Sequence, residues 1–264
     1  MTDSVIAPNL MKQALQQGKS LVGTMVVEIR QPSVMQLLAN AGFDFVIIDN
    51  EHGSFNVETL ADLTRTALYV GLTPIVRPPD LAYPYLAQVL DGGAQGIMLP
   101  RIYGVEQVQE ALQIMKYPPV GRRGNAMARG FSRFLSAPPL PAMARSNEET
   151  MLIAQIETKE AVANIDEIAA TPGVDVALIG PNDLSISLGV GGQLDSPVLH
   201  QAIETTIAAC LRHGVYPAIH INETDKAVYW AKKGMRVIST NAEIGFLVKA
   251  GAEAATAIRQ GFSA

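Results

Sequence analysis

The sequence has very little cysteine, no long apolar run and no excess of positive charge. Cys210 is the single cysteine in 264 residues, which excludes an internal disulfide. No apolar run approaches the roughly 20 residues that cross a bilayer, and the formal net charge of −5 does not suit a phosphate-binding face. The first residues lack the basic start and apolar stretch of a signal peptide. We therefore expect a cytoplasmic enzyme or binding protein for a small molecule, with no nucleic-acid or membrane partner.

Short apolar runs alternate with longer stretches of helical period along the whole chain, a pattern typical of parallel sheets. The predicted strands cover residues 21–27, 43–48, 73–77, 96–100, 152–157, 174–180, 216–220 and 236–240. The predicted helices cover residues 32–41, 57–70, 84–90, 105–115, 160–169, 198–213, 223–233 and 242–260. Four glycines follow predicted helices, where a left-handed residue is expected: Gly42, Gly71, Gly214 and Gly234.

Eight strand–helix pairs in a chain of this length favour an α/β fold of the (β/α)8, or TIM-barrel, type. A doubly wound sheet would more often show a glycine-rich turn after its first strand, and Gly23 alone is no such turn. No break in composition divides residues 1–264, so we predict a single domain. The connection at about 117–150 is too long for a structureless loop and should contain short helices or pack on a neighbour.

In this fold the chemistry belongs at the carboxyl ends of the strands, so the polar residues found there are the candidates. They are Asp49, Glu51, His52, Arg77, Arg101, Gln155, Glu157, Asn182, Asp183, His220 and Asn241. Buried strands that end repeatedly in ionisable groups gather charge in one place, and such a cluster needs a metal or a ligand to balance it.

Glu157 and Asp183 follow consecutive strands, so their carboxylates can converge on one point. Hard oxygen ligands without a histidine triad favour Mg²⁺ or Mn²⁺ over a structural Zn²⁺, and two carboxylates leave positions for water and a bidentate substrate. Helix capping is the alternative: Glu157 would cap the following helix, and Asp183 would be the N-cap of residues 184–188.

Other rim residues suggest acid–base chemistry and anion binding. His52 lies at the predicted pocket mouth with Asp49 near enough to orient its ring, as in many general bases, or it is an ordinary loop histidine. Arg77 can hold a carboxylate or an enolate oxygen, form an ion pair with Asp49 or Glu51, or do both. His220 is a weaker candidate that can simply bond to backbone.

Gly180, Pro181, Asn182 and Asp183 join a strand to a short helix. Backbone N–H groups at such a junction point toward the pocket, and the helix dipole favours an anion there. The carboxylate of a small 2-oxo acid suits this place.

Five segments together carry a resemblance to a known family. They are residues 43–52 (FDFVIIDNEH), 76–78 (VRP), 117–124 (YPPVGRRG), 155–161 (QIETKEA) and 179–185 (IGPNDLS). With them the sequence resembles the HpcH/HpaI family of class II pyruvate-dependent aldolases, relatives of 2,4-dihydroxyhept-2-ene-1,7-dioate and 2-keto-3-deoxy sugar-acid aldolases. The resemblance covers residues 10–258.

The resemblance implies reversible cleavage of a 4-hydroxy-2-oxo acid to pyruvate and an aldehyde, through a pyruvate enolate held on Mg²⁺, Mn²⁺ or Co²⁺. It assigns the metal to Glu157 and Asp183, acid–base catalysis to His52 paired with Asp49, and contact with the carbonyl or enolate oxygen to Arg77. By the same resemblance, Gln155 lines the metal site, while Asn182 and Asp183 offer amides to the pyruvate carboxylate.

The resemblance also implies a homohexamer of paired subunits that exchange their last helix, here residues 242–260. The segment 117–150, with Arg122 and Arg123, would reach an adjoining active site. Two departures from the family, Met25 and Arg101, face the aldehyde end of the pocket. We therefore hypothesise that Arg101 favours an acceptor with a distal carboxylate.

Three rival interpretations remain. A Schiff-base aldolase needs a lysine at the end of a buried strand, and none of the eight lysines ends an apolar run. A citrate-lyase β-like enzyme acting on acyl-CoA needs a basic groove, which Arg122, Arg123, Arg129 and Arg133 could form. A non-catalytic oxo-acid-binding barrel would have no use for both an acid–base pair and metal carboxylates.

Overall fold

The computed structural model describes residues 5–262, and in it eight parallel strands close into a barrel in chain order. The strands are β1 (Leu21–Val26), β2 (Phe45–Asp49), β3 (Thr73–Arg77), β4 (Gly96–Leu99), β5 (Met151–Ile156), β6 (Val174–Ile179), β7 (Tyr216–His220) and β8 (Val237–Ala242). The predicted (β/α)8 fold is confirmed, and strand limits differ from the predicted ones by at most two residues.

Helices separate the strands and form an outer layer, while the first helix precedes the barrel and lies at its amino-terminal end. They are α1 (Leu10–Gln16), α2 (Ser33–Asn40), α3 (Val57–Tyr69), α4 (Tyr83–Gly92), α5 (Val105–Met115), α6 (Pro139–Glu149), α7 (Lys159–Ala163), α8 (Ile165–Ala170), α9 (Pro181–Ser187), α10 (Pro197–His213), α11 (Thr224–Lys232) and α12 (Glu243–Phe262). Within the described residues, no helix is long and apolar enough to span a membrane.

Three helical features differ from the prediction or complete it. The sequence did not predict α1, whose seven residues are too few to show a clear period. The predicted helix 160–169 is two helices that meet at Asn164. The long connection at 117–150 contains α6 and a 3-10 turn at Gly130–Ser132, so the expectation of short helices in this segment is confirmed.

The barrel interior is filled by alternate residues of the strands. In β2, Phe45 and Ile47 belong to the inner cluster, while Val46 and Ile48 pack in the layer beneath the helices. This alternation is what a strand buried on both faces requires, and α1 adds Met11 to the inner cluster at the amino-terminal end of the barrel. The filled core leaves the opposite, carboxyl-terminal rim for chemistry.

The last helix, α12, packs mainly through its first turn. Glu243 is buried, whereas Leu247 and Val248 are 67% and 69% exposed and Phe262 is 84% exposed. An apolar stripe left in water on a 20-residue helix is unusual for a surface that meets only solvent.

Candidate active site

A buried ion pair joins the ends of β2 and β3. Asp49 stands opposite Arg77 in the strand register, and Arg77 donates from Nε and Nη2 to the two carboxylate oxygens at 2.8 and 2.7 Å. Burial opposes the positive charge, but the bond and the charge of Asp49, with Glu51 adding to them, raise the pKa of Arg77 above its usual value. The guanidinium is therefore a permanent cation at the bottom of the rim.

The loop after β2 places Glu51 and His52 at the mouth of the barrel. The remaining guanidinium nitrogen of Arg77, Nη1, lies 3.1 Å from Oε2 of Glu51. The His52 imidazole is largely exposed, and its charged neighbour is Glu51, at 3.8 Å from Nε2. Asp49 instead accepts the backbone N–H groups of Glu51 and His52, at 3.0 and 3.5 Å.

These contacts differ from the predicted pairing of Asp49 with the His52 ring. The Asp49 carboxylate is occupied by Arg77, so it orients the loop that carries His52 through the backbone. Arg77 therefore forms the ion pair with Asp49 that the sequence offered as one interpretation. It also lines the inner cavity at the rim, where a ligand oxygen can still reach it.

Glu157 follows β5 and is 5% exposed. Its Oε1 accepts the backbone N–H of Arg101 at 2.6 Å, and its Oε2 accepts a short bond from the Gln155 amide. Burial raises the pKa of the Glu157 carboxyl; the Arg101 bond opposes this, and the charges of Glu51 and Asp183 add to it. Another positive charge at this point would stabilise the ionised form.

Helix capping does not account for either proposed metal ligand. Thr158, not Glu157, caps α7 by accepting the N–H of Ala161. Helix α9 begins at Pro181 after Gly180, and Asp183 lies within its first turn with an exposed side chain. The alternative that the sequence left open for Glu157 and Asp183 is therefore wrong.

The donor set at the rim suits a hard divalent cation. Glu51 and Asp183 are close enough to Glu157 for their charges to raise its pKa, and the buried Gln155 Oε1 has no hydrogen-bond partner among the described residues. No three His, Cys, Asp or Glu residues of the described chain form a complete ligand cluster. An ion held by two carboxylates would thus complete its coordination with water and substrate, as Mg²⁺ commonly does.

Two cavities open at the rim and share His52 and Asp183. The inner cavity, of about 170 Å³, lies over the barrel core and is lined by Met25, Arg77, Met98, Gln155, Leu178, Gly180, Pro181, Asn182 and His220. The outer cavity, of about 270 Å³, is lined by Glu51, Arg101, Tyr103, Glu157, Thr158, Glu160, Ile186 and Ser187. Met25 and Arg101, which we expected at one end of a single pocket, line different cavities.

Arg101 has a second role, through its backbone, that the sequence did not indicate. Its backbone is left-handed, with φ of 51°, a conformation uncommon for residues other than glycine. That conformation accompanies the N–H bond to Glu157, while the exposed side chain lines the outer cavity. A strand-end arginine gives no signal of positive φ, so only the structure could find this contact.

Two arginines of the 117–150 segment have partners in their own chain. Arg122 pairs with Glu110, and Arg123 pairs with Asp91 beneath the rings of Tyr117 and Phe131. Neither residue lines the two rim cavities.

Comparisons with known proteins agree with the geometry. The model of a family described as HpcH/HpaI aldolase/citrate lyase matches residues 24–249. The 4-hydroxy-2-oxo-heptane-1,7-dioate aldolase of Escherichia coli is 33% identical over 245 residues, 92% of each chain. The hydroxypyruvate/pyruvate aldolase of Roseobacter denitrificans is 34% identical over 96% of this chain and 98% of its own. An HpcH/HpaI aldolase structure from Desulfitobacterium hafniense covers 95% of this chain and 96% of its own, at 30% identity and a TM-score of 0.91.

Proposed function

The chain belongs to the HpcH/HpaI aldolase/citrate lyase family, and from that premise we propose that Glu157 and Asp183 hold a divalent cation in a metal-dependent pyruvate aldolase. Its activity as a pyruvate aldolase, and so as a carbon–carbon lyase, follows from the family and from relatives that carry aldolase names over nearly the whole chain. The reaction is the reversible cleavage of a 4-hydroxy-2-oxo acid to pyruvate and an aldehyde.

One observation carries the metal proposal. Burial raises the pKa of Glu157, and the charges of Glu51 and Asp183 add to this effect, although two donors already hold the carboxylate in place. A bound Mg²⁺, Mn²⁺ or Co²⁺ would offset this repulsion and would stabilise negative charge on the pyruvate oxygen as the methyl group loses a proton.

The residues around the proposed metal site have separate roles in the reaction. The Asn182 and Asp183 amides at the start of α9, with Gly180 and Pro181 shaping the turn, receive the pyruvate carboxylate. Arg77 contacts the oxygen on which charge develops. His52, at the junction of both cavities, moves the proton between the C4 hydroxyl or the pyruvate methyl and solvent.

The metal assignment is tested by pyruvate release from a panel of 4-hydroxy-2-oxo acids after EDTA treatment and after adding back each metal. Glu157→Gln and Asp183→Asn should lower activity by about 100-fold or more, since one missing electrostatic contact commonly costs that much. Glu167→Gln, at an exposed position of α8, is the matched control. Full activity in EDTA, or trapping of an enzyme–pyruvate adduct by borohydride, would overturn the proposal in favour of a Schiff base.

The outer cavity suggests the acceptor. We expect Arg101 to favour aldehydes with a distal carboxylate, as the name of the Escherichia coli relative describes for its own substrate. Because Ala is strained at the left-handed backbone of Arg101, Arg101→Asn is the better variant, since Asn tolerates that conformation. It should lower the activity with acidic aldehydes at least tenfold more than the activity with glycolaldehyde, and equal losses with both aldehydes would contradict this role of Arg101.

We further propose assembly into a homohexamer, in which α12 docks on a neighbouring subunit and the 117–150 segment approaches an adjoining site. The exposed apolar side chains of α12 support this. Sedimentation of the full chain against a Leu247→Glu variant tests it, since a monomer in both cases contradicts the assembly. The internal partners of Arg122 and Arg123 do not favour the acyl-CoA alternative.

A further inference from the structure

His220 lies at the end of β7, on the wall of the inner cavity. Its Nδ1 is 2.8 Å from the hydroxyl of Ser239 on β8, the residue directly opposite it in the strand register. Ser239 is fully buried. A pair of facing strand residues therefore holds the imidazole in place through one of its two ring nitrogens.

The partner of Ser239 determines which nitrogen carries the proton. Among the described residues, the imidazole is the hydroxyl's hydrogen-bond partner, and a buried hydroxyl donor is rarely left unpaired. The Ser239 O–H therefore donates to Nδ1, and the proton of the neutral ring resides on Nε2. This leaves an N–H donor on the ring edge away from Ser239.

The ring is uncharged at neutral pH. Burial lowers the pKa of His220 to about 4, the charge of Arg77 lowers it further, and Asp49 opposes the shift. His220 thus offers the cavity a neutral donor, which recognises a hydroxyl oxygen without drawing in a carboxylate by charge.

The inner cavity also has apolar lining residues: Met25, Met98 and Leu178. A substrate hydroxyl buried against them would lose its hydrogen bond to water unless the protein supplied a partner. The polar groups of pyruvate are already matched, in the function proposed above, by Arg77 and the α9 amides. The remaining substrate oxygens belong to the acceptor aldehyde.

We propose that His220 is a specificity-determining residue for the acceptor, donating Nε2–H to a hydroxyl on the carbon beside the aldehyde carbonyl, with Ser239 as the positioning residue that fixes the tautomer. The inference rests on the proposed pyruvate aldolase chemistry. It adds a preference for short α-hydroxy aldehydes over alkyl aldehydes of the same size.

The test compares glycolaldehyde with propanal, which carries a methyl group where glycolaldehyde has its hydroxyl. We expect the natural protein to prefer glycolaldehyde in kcat/KM by at least tenfold, because a site built for a hydroxyl rejects the analogue without one. His220→Leu should bring the ratio near one. His220→Gln, which keeps a donor, should retain part of the preference, and Ser239→Ala should lower it less than His220→Leu does.

Two measurements keep the outcome interpretable. His213→Leu, at a surface histidine that pairs with Asp166, should keep the ratio of the natural protein. Exchange of the pyruvate methyl protons in deuterated water, followed by NMR, reports the donor half-reaction without any acceptor, and it should fall less in His220→Leu than activity with glycolaldehyde.

The outcomes separate cleanly. A ratio that survives His220→Leu, or equal losses with both aldehydes and in proton exchange, overturns the assignment of His220. Absence of exchange in the natural protein loaded with metal overturns the proposed function, and this inference with it. A His220→Leu variant that does not fold leaves the decision to Ser239→Ala and His220→Gln, and an unchanged ratio in both contradicts the proposal.

Discussion

Truncation of Glu243 is expected to loosen the loop that follows β1. Glu243 is 5% exposed, and its Oε1 accepts the backbone N–H groups of Val27, Glu28 and Ile29 at 3.0, 2.7 and 2.9 Å. Three consecutive donors thus depend on one carboxylate at the first residue of α12. The loop directly follows β1, whose Met25 lines the inner cavity.

The magnitude follows from the number of donors. A hydrogen bond to a charged group contributes roughly 1.5–3 kcal/mol, but these donors are only partly buried and regain some water, so about 1 kcal/mol each is a fair value. Glu243→Ala should therefore cost about 3 kcal/mol, and Glu243→Gln, which keeps one acceptor oxygen, about half as much. At roughly 2–4 °C per kcal/mol for a chain of this size, the midpoint of thermal unfolding falls by about 6–12 °C in Glu243→Ala.

Thermal and urea unfolding, followed by circular dichroism, measure this loss. Glu253→Ala, at an exposed position farther along α12, is the control and should shift the midpoint by less than about 1 °C, as surface substitutions usually do. Glu243→Ala should also lower aldol activity at a temperature where it remains folded. If Glu243→Ala and Glu253→Ala unfold alike, the carboxylate does not hold the loop and the reasoning is refuted.

Three further predictions concern buried groups. Asp49→Asn should lower the free energy of unfolding in urea by about 3 kcal/mol and remove most of the activity, because it leaves Arg77 buried with Glu51 as its remaining counter-charge. Asp62→Asn, on the surface, should change both quantities little. A larger loss in Asp62→Asn than in Asp49→Asn would contradict the role of the ion pair. Burial raises the pKa of Cys210 to about 12, so the native protein should not react with a thiol reagent at pH 8 and should react once in urea. Because the folded pKa of His220, about 4, lies below its unfolded value of 6.5, the unfolded chain binds the proton first. Stability should therefore be fully present above pH 6.5 and fall by up to about 3 kcal/mol toward pH 4, and His220→Gln should flatten the profile in that window.

The positions of the site residues could be predicted because the fold decides them. Strands buried on both faces read as apolar runs, and in a parallel barrel every carboxyl end lies at one rim. Thr73–Arg77 and Tyr216–His220 begin and end where the sequence placed them. Once the strand ends are known, Asp49, Arg77 and Glu157 must lie at the same rim.

The partner of each side chain was predicted less sharply, because the sequence offered Asp49 both to the His52 ring and to Arg77 and did not decide between them. Asp49 is three residues from His52 in sequence, yet its carboxylate binds Arg77 across the strands, because the register brings those two residues side by side. Which side chain an ionisable group contacts depends on the strand register and on side-chain rotamers, and the spacing of residues within one segment predicts neither. The left-handed Arg101, whose N–H holds Glu157, escaped prediction for the same reason.

The Asp49–Arg77 pair also changes what is expected of the proposed base. A proton carrier between pyruvate and an acceptor has to reach both, and His52 lines both cavities with an exposed ring. A direct bond from Asp49 to the ring would hold the imidazole in one orientation; Asp49 instead fixes the backbone of the loop, and the ring can turn about its side-chain bonds between the inner and outer cavities. The charged group beside the ring is then Glu51, at 3.8 Å from Nε2, so Glu51→Gln should slow the reaction through the proton-transfer step. A larger solvent isotope effect on kcat in Glu51→Gln would reveal this, whereas an unchanged isotope effect with a raised KM would place Glu51 in binding alone.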